Sequence, residues 1–208
     1  MRTVPLAATV VRIGIVAPSR GRTARSVHLA VTLDAVLDEV FERVPVPYRT
    51  PSWYRRPEGD NTTLVIPPAV PPRWVATGLV ELVAEALGRR NRHLNEFGRL
   101  RLRLAVAHGD VVLRPPYFGG AAVALSSWLC DSDELKAAMT AAPEADQVLI
   151  VSDRLYDEVA GEGEHDLDPA VFRRVVVRAG GGREIGWLHA RPDAGTRNSG
   201  AGDGLPPL

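Results

Sequence analysis

The residues of this chain able to do chemistry fall in a few short stretches. Between Val16 and Ala24 the loop Ala-Pro-Ser-Arg-Gly-Arg-Thr presents Ser19, Arg20 and Arg22. Hydroxyl and guanidinium groups ahead of a helix start can bind an anion without a metal, or can simply be an exposed loop in an arginine-rich protein. The turn Glu58-Gly59-Asp60-Asn61 carries Asp60, either a residual metal ligand or a cap for its own turn. Gly119 and Gly120 open a helix and free the backbone there; small residues follow, and Trp128 then arrives where a polar residue might be expected. His108-Gly109-Asp110 has no Ser or Cys nucleophile at a recognisable spacing and reads as structural. Glu162, Glu164, His165, Asp166 and Asp168 form an acidic run with no recurring ligand spacing, hence a surface loop. The aromatic residues Trp53, Tyr54 and Trp128 either face a partner or complete the monomer core.

These groups need elements to position them. Val10–Val16 is a β-branched apolar run and predicts a buried strand. From Ala24 to Val44, Leu29, Leu33, Val36, Leu37 and Val40 recur at helical spacing. Tyr48, Trp53 and Tyr54 suggest an edge strand, with the turn at Pro57–Asp60 leading into a strand over Thr62–Ile66. Trp74–Asn91 predicts a second amphipathic helix. From Arg99 the chain alternates Arg and Leu before becoming apolar, which predicts a strand entering the sheet centre, a turn at Gly109-Asp110 and a hairpin return. A helix to about Leu129, a short one from Asp131, a buried strand ending at Ser152 as helix cap, and a hairpin turning at Gly180–Gly182 complete the pattern. The order β-α-β-β-α-β-β-α-β-α-β-β predicts an α/β sandwich with one mixed sheet and helices packed on it. Residues 1–191 form the expected domain and 192–208, with almost no apolar periodicity, a disordered tail.

The bulk numbers fit such a domain. The 208 residues are 45% hydrophobic and 24% charged, ample for a sizeable core. With 25 basic and 25 acidic residues the formal net charge is zero, so no global field recruits nucleic acid or an anionic membrane. Lys136 is the only lysine, and the arginine bias follows the Ala-, Gly- and Pro-rich composition rather than a nucleic-acid partner. Cys130 is the only cysteine, which excludes an intramolecular disulfide and a CxxC site. No run approaches the ~20 apolar residues of a membrane span, and a cytoplasmic address is expected.

This order, with RLRLAVAHGDVV, a glycine-initiated helix, VLIVSDRLYDEV and the closing VFRRVVVRAGGGREIGWLH in register, resembles the class III nucleotidyl cyclase catalytic domain over roughly Arg12 to Arg191. The resemblance implies a ferredoxin-like α/β fold and domains that pair head to tail with active sites between them. It also implies an attack of the ribose 3′-oxygen on the α-phosphate of a nucleoside triphosphate. Two carboxylates would hold two metal ions, an Asn would orient the ribose and an Arg would stabilise the developing charge.

Carried over residue by residue, most of that machinery is missing. Gly14 stands where the first metal carboxylate would be, Ala124 where the Asn would be and Trp128 where the Arg would be, while Asp60 survives. The chain lacks a full set of either half, so it complements a partner on neither side. The expected function is therefore a catalytically silent cyclase-homology domain, a dimerising regulatory or nucleotide-sensing module. It would pair with itself or with another cyclase-like or signalling protein. A nucleoside triphosphate would lie at Ser19, Arg20, Arg22 and Gly120, with Mg²⁺ or Mn²⁺ present only alongside it. Two alternatives stand beside it: a divergent cyclase recruiting Asp110 or Glu58 beside Asp60, and an interaction module that binds nothing small.

Overall fold

The computed structural model describes residues 5–16, 23–114, 117–160 and 171–190. The strands are β1 (Leu6–Ile15), β2 (Tyr54–Glu58), β3 (Asn61–Ile66), β4 (Leu102–Arg114), β5 (Tyr117–Gly119), β6 (Gln147–Ser152), β7 (Phe172–Ala179) and β8 (Gly182–Ala190). The helices are α1 (Thr23–Arg43), α2 (Pro72–Trp74), α3 (Val80–Asn91), α4 (Ala121–Cys130), α5 (Asp133–Ala141) and α6 (Asp153–Ala160). A π turn, Val75–Leu79, runs α2 into α3 without a break. The strands form one sheet in the order β2-β3-β1-β4-β6-β8-β7, with β5 added to β4. Only the β4–β6 pairing is parallel. Within it, β1 to β4 are antiparallel and lie in the order 2-3-1-4, joined through α1 and through α2–α3, which is the ferredoxin-like βαββαβ arrangement.

Strand alternation divides the core between two faces. Val11, Ile13 and Ile15 point to the larger core, beneath α1, α3 and α6. Ala8 and Val10 point the other way, towards the N-terminal half of α4. Leu129, Cys130, Leu135 and Met139 of α4 and α5 cover the same face further along, on Ala105, Val148 and Ile150. Arg12, Gly14 and Arg103 share the α4 face by the same two-residue period.

Four expectations on local structure fail. Tyr48 is not part of the edge strand: it closes a 3₁₀ turn over Val46–Tyr48, favoured by Pro45 and Pro47, and β2 begins only at Tyr54. Gly109-Asp110 is not a turn: β4 runs through it, with Ala8 opposite Gly109 and Ala7 opposite Asp110. A Gly-Asp pair favours a turn only where the chain has no ladder to continue, and the long β1 supplies one. Ser152 does not cap α6, since its buried hydroxyl has no hydrogen-bond partner. The short helix after α4 starts at Asp133 and is capped by Ser132, whose hydroxyl oxygen accepts from the Leu135 amide at 3.2 Å.

Candidate functional site

On the α4 face of β1, Gly14 lies between Asn61 of β3 and Arg103 of β4. The space beside its α-carbon is full. A Cβ built there would stand 2.9 Å from Asn61 Oδ1, 3.1 Å from Cys130 Sγ and 3.2 Å from Arg103 Nη2. One strand period away, Arg12 is ion-paired to Glu58 and donates to Thr63 Oγ1; Thr63 donates in turn to Glu58 at 3.1 Å. The Arg12 and Arg103 side chains are only 11% and 14% exposed. Asp131 approaches Arg103 to 3.9 Å.

This neighbourhood is tightly packed, and each of its two arginines faces one carboxylate. Arg12 Nε, Arg103 Nε and Asn61 Oδ1 are buried without a partner. Burial raises the Cys130 thiol to about 12, so it stays protonated; its sulfur lies 3.6 Å from the Arg103 carbonyl. Among the described residues no group of three or more His, Cys, Asp or Glu side chains could hold a metal ion. A guanidinium, a protonated thiol and an amide oxygen around Gly14 do not fit a two-metal centre, which needs carboxylates there.

The other sequence candidates are placed as follows. Asp60 is exposed in the β2–β3 turn; its carbonyl oxygen accepts from the Ile15 amide at 2.8 Å, and Gly59 supplies the left-handed φ of 64° the turn needs. Asp60 adjoins the Gly14 end of β1, whereas Asp110 pairs with Ala7 near the other end. Seven residues of strand separate those ends, about 23 Å, so Asp110 cannot join Asp60 in one metal site. Glu58, the other recruit considered, is committed to Arg12. Ser19, Arg20 and Arg22 lie outside the described residues, as do the acidic run Glu162–Asp168 and the tail 192–208.

Gly120 is the N-cap of α4 at φ 123° and ψ 171°, and a Cβ on it would stand 2.3 Å from the Asp110 carbonyl oxygen. The glycine is thus required where the helix start meets β4. Trp128 sits on α4 with its ring against the β7–β8 turn: a Cβ on Gly180 would be 2.8 Å from Trp128 Cζ2. The rest of the ring is open, leaving Trp128 39% exposed. Trp53 packs edge-on against Phe41 and donates its indole N–H to the Tyr48 carbonyl at 3.1 Å; Tyr54 meets Phe118 with ring centroids 5.5 Å apart. His108 faces Thr9, with Nδ1 3.0 Å from Oγ1, and burial lowers its pKa.

Sequence reading passed over Arg12, Asn61 and Arg103. The signal for the two arginines was a lone arginine in the apolar run VVRIGIV and arginines at alternate positions of RLRLRLAVA, where a charge must point into a sheet face; nothing in the sequence singled out Asn61.

No family model matches the chain, and no curated protein matches it. Solved structures do. An adenylate/guanylate cyclase/hydrolase from Silicibacter pomeroyi aligns with a TM-score of 0.64 at 14% identity, covering 91% of this chain and 99% of that one. A bacterial light-regulated adenylyl cyclase aligns at 0.54 and 12% identity, over 89% and 91%. A dimeric guanylyl cyclase domain of the RhoGC fusion protein from the aquatic fungus Blastocladiella emersonii aligns at 0.52 and 16%, over 88% and 96%. The chain has the fold of class III adenylate/guanylate cyclase domains.

Proposed function

We propose that this chain is a catalytically silent domain of the cyclase fold that works as a dimerising regulatory or nucleotide-sensing module. The observation that carries the reading is the packing around Gly14. Where cyclase chemistry needs a carboxylate and a divalent ion, the chain puts the Arg103 guanidinium, the Asn61 amide and the Cys130 thiol. Two unit charges 4 Å apart interact by about 4 kcal/mol near a protein surface, and a divalent ion doubles that. A nearby arginine therefore opposes the ion that the two carboxylates would hold. The apolar Trp128 ring, in the place of a charge-stabilising donor, adds to the loss. Fold alone does not decide activity; these substitutions support silence.

A bound nucleoside triphosphate would meet Ser19, Arg20 and Arg22 of one chain and Gly120 of a second copy, since Gly120 adjoins Asp110 at the far end of β1, and Mg²⁺ or Mn²⁺ would accompany it rather than reside in the protein. The surface proposed for a second copy or another cyclase-like or signalling protein is the exposed edge of Trp128 with Tyr54 on the same face of the sheet; Trp53, also expected there, packs on Phe41 and Trp74 on the opposite face. No described helix is long and apolar enough to cross a membrane; the cytoplasmic address is a proposal.

The test is incubation of the purified chain with ATP, GTP, CTP and UTP and Mn²⁺. No cyclic product above the protein-free background is expected. Turnover that disappears in Asp60→Ala would overturn the reading in favour of a divergent cyclase. Light scattering addresses the dimer, and a strict monomer with no partner would remove that half of the proposal.

A further inference from the structure

The edge of the sheet furthest from Gly14 is β7, which pairs with β8 alone and leaves its other side open. Its side chains alternate. Val175 and Val177 are buried with Leu135 and Met139 of α5, while Arg174, Val176 and Arg178 are exposed on the opposite face. β8 sets Trp187, Ile185 and Arg183 directly across from those three, on the same face. Helix α6 covers only the start of this face, where Tyr156 meets Phe172 at 5.4 Å and stacks on Trp187 at 3.8 Å.

The uncovered part is basic without compensation. Arg178 stands opposite Arg183, and like charges directly opposite one another destabilise a strand pair. Among the described residues no carboxylate pairs with Arg174, Arg178 or Arg183. Beside them an edge strand presents unpaired backbone N–H and C=O groups. A second copy does not suit this edge: the antiparallel register centred on Val176 would set Arg174 of one copy opposite Arg178 of the other. Single-stranded nucleic acid finds no stacking platform, because the Trp187 ring is taken up by Tyr156 and its N–H is donated to Asp153 at 2.7 Å. A membrane would meet only Val176 and Ile185 as uncovered apolar groups.

We infer that β7 takes an extended acidic segment of another protein as an added strand. Every second side chain of that strand shares the arginine face, with a carboxylate opposite Arg174, an apolar group opposite Val176 and a second carboxylate opposite Arg178. The inference does not depend on the nucleotide or dimer readings, since Tyr54 belongs to the other edge strand and Trp128 to the opposite face.

The probe is a fluorescein-labelled heptapeptide, Thr-Glu-Thr-Val-Thr-Glu-Thr, titrated with the full chain and followed by anisotropy at physiological salt. Saturable binding is expected, at least tenfold weaker when Gln replaces both Glu. Two N-methylated versions, one at the Thr positions and one at the Glu and Val positions, test strand pairing. Alternate amides of a strand point to opposite sides, so one version is expected to lose binding and the other to keep it. Arg174→Gln combined with Arg178→Gln is expected to weaken binding tenfold or more, with a melting curve showing the variant folded. Should that variant fail to fold, Arg183→Gln carries the comparison.

No saturable binding at millimolar peptide, or equal binding of the Glu and Gln peptides, overturns the site. Undiminished binding of both N-methylated versions overturns strand addition. Tighter binding of a single-stranded oligonucleotide or of anionic vesicles overturns the choice of partner. Binding that appears only when Glu162, Glu164, Asp166 and Asp168 are all changed to amides would assign the face to the chain's own acidic run, and overturns it too.

Discussion

Gly14 and Arg103 face each other across β1 and β4, with the arginine Nη2 3.2 Å from where a Gly14 side chain would begin. A carboxylate introduced at Gly14 would therefore meet a guanidinium before a metal. Mn²⁺ is expected to leave the melting temperature of Gly14→Asp unchanged, and to raise it only when Arg103→Ala is added. Mn²⁺ stabilising the single variant would show that Arg103 is not the obstacle. Gly14→Ala is expected to cost about 1 kcal/mol in urea unfolding, since the crowding atoms are side-chain ends with some freedom to shift.

Trp128 and Gly180 tie α4 to the closing hairpin. Gly180→Ala is expected to destabilise by roughly 1–3 kcal/mol, combining the left-handed φ of 54° with the collision against the indole. In a Trp128→Ala background only the backbone cost remains, so the two changes should be markedly non-additive. Strict additivity would mean that the ring and the turn do not touch.

Gly120 admits no side chain. A Cβ would press on backbone, the Asp110 carbonyl at 2.3 Å, in a conformation open only to glycine. Gly120→Ala should cost about 3 kcal/mol or more, several times the effect at Gly14. Equilibrium denaturation of the two variants side by side checks the ranking.

Two groups, the buried Cys130 thiol and the half-buried His108 ring, contribute to the pH dependence of stability. Cys130 is raised from 9.0 to about 12, so the unfolded chain ionises first as pH rises. Stability supplied by the neutral thiol is complete below pH 9 and drains away towards pH 12, which Cys130→Ala should flatten. The same thiol should resist thiol reagents until the protein unfolds. For His108 burial lowers the pKa, so the unfolded chain takes up its proton first and stability falls as the solution is acidified below the ordinary histidine value. His108→Gln should remove part of that acid limb in pH-dependent unfolding.

Much of the scaffold was legible because it follows from periodicity. Leu29, Leu33, Val36, Leu37 and Val40 are all buried on one side of α1, as their spacing requires. The glycines at 59, 180 and 181 sit at positive φ in hairpin turns, where the sequence put them. What failed was whatever depends on partners far along the chain. Whether Gly109-Asp110 turns or continues is decided by β1, about a hundred residues earlier. That Gly14 lacks a ligand was visible; that Arg103 stands there instead follows from strand register, which local sequence does not encode. The open question of what Trp128 packs against is partly answered in the same way, by a turn over fifty residues downstream.

The π turn at Val75–Leu79 has a consequence for which changes of length this chain can tolerate. It holds one residue more than an α-helical turn would, and Gly78 lies beneath the Trp74 ring, where a Cβ would be 2.4 Å from Nε1. Deleting one residue of that turn would restore regular α geometry with little net rotation, because the π turn spends one residue more than an α turn to go round once. Trp74 would then keep facing Tyr48 and Trp53, which it meets at 4.8 and 6.4 Å. The chain should thus tolerate the loss of a single codon here, at a place inside a helix, as well as it tolerates a change of length in an exposed loop.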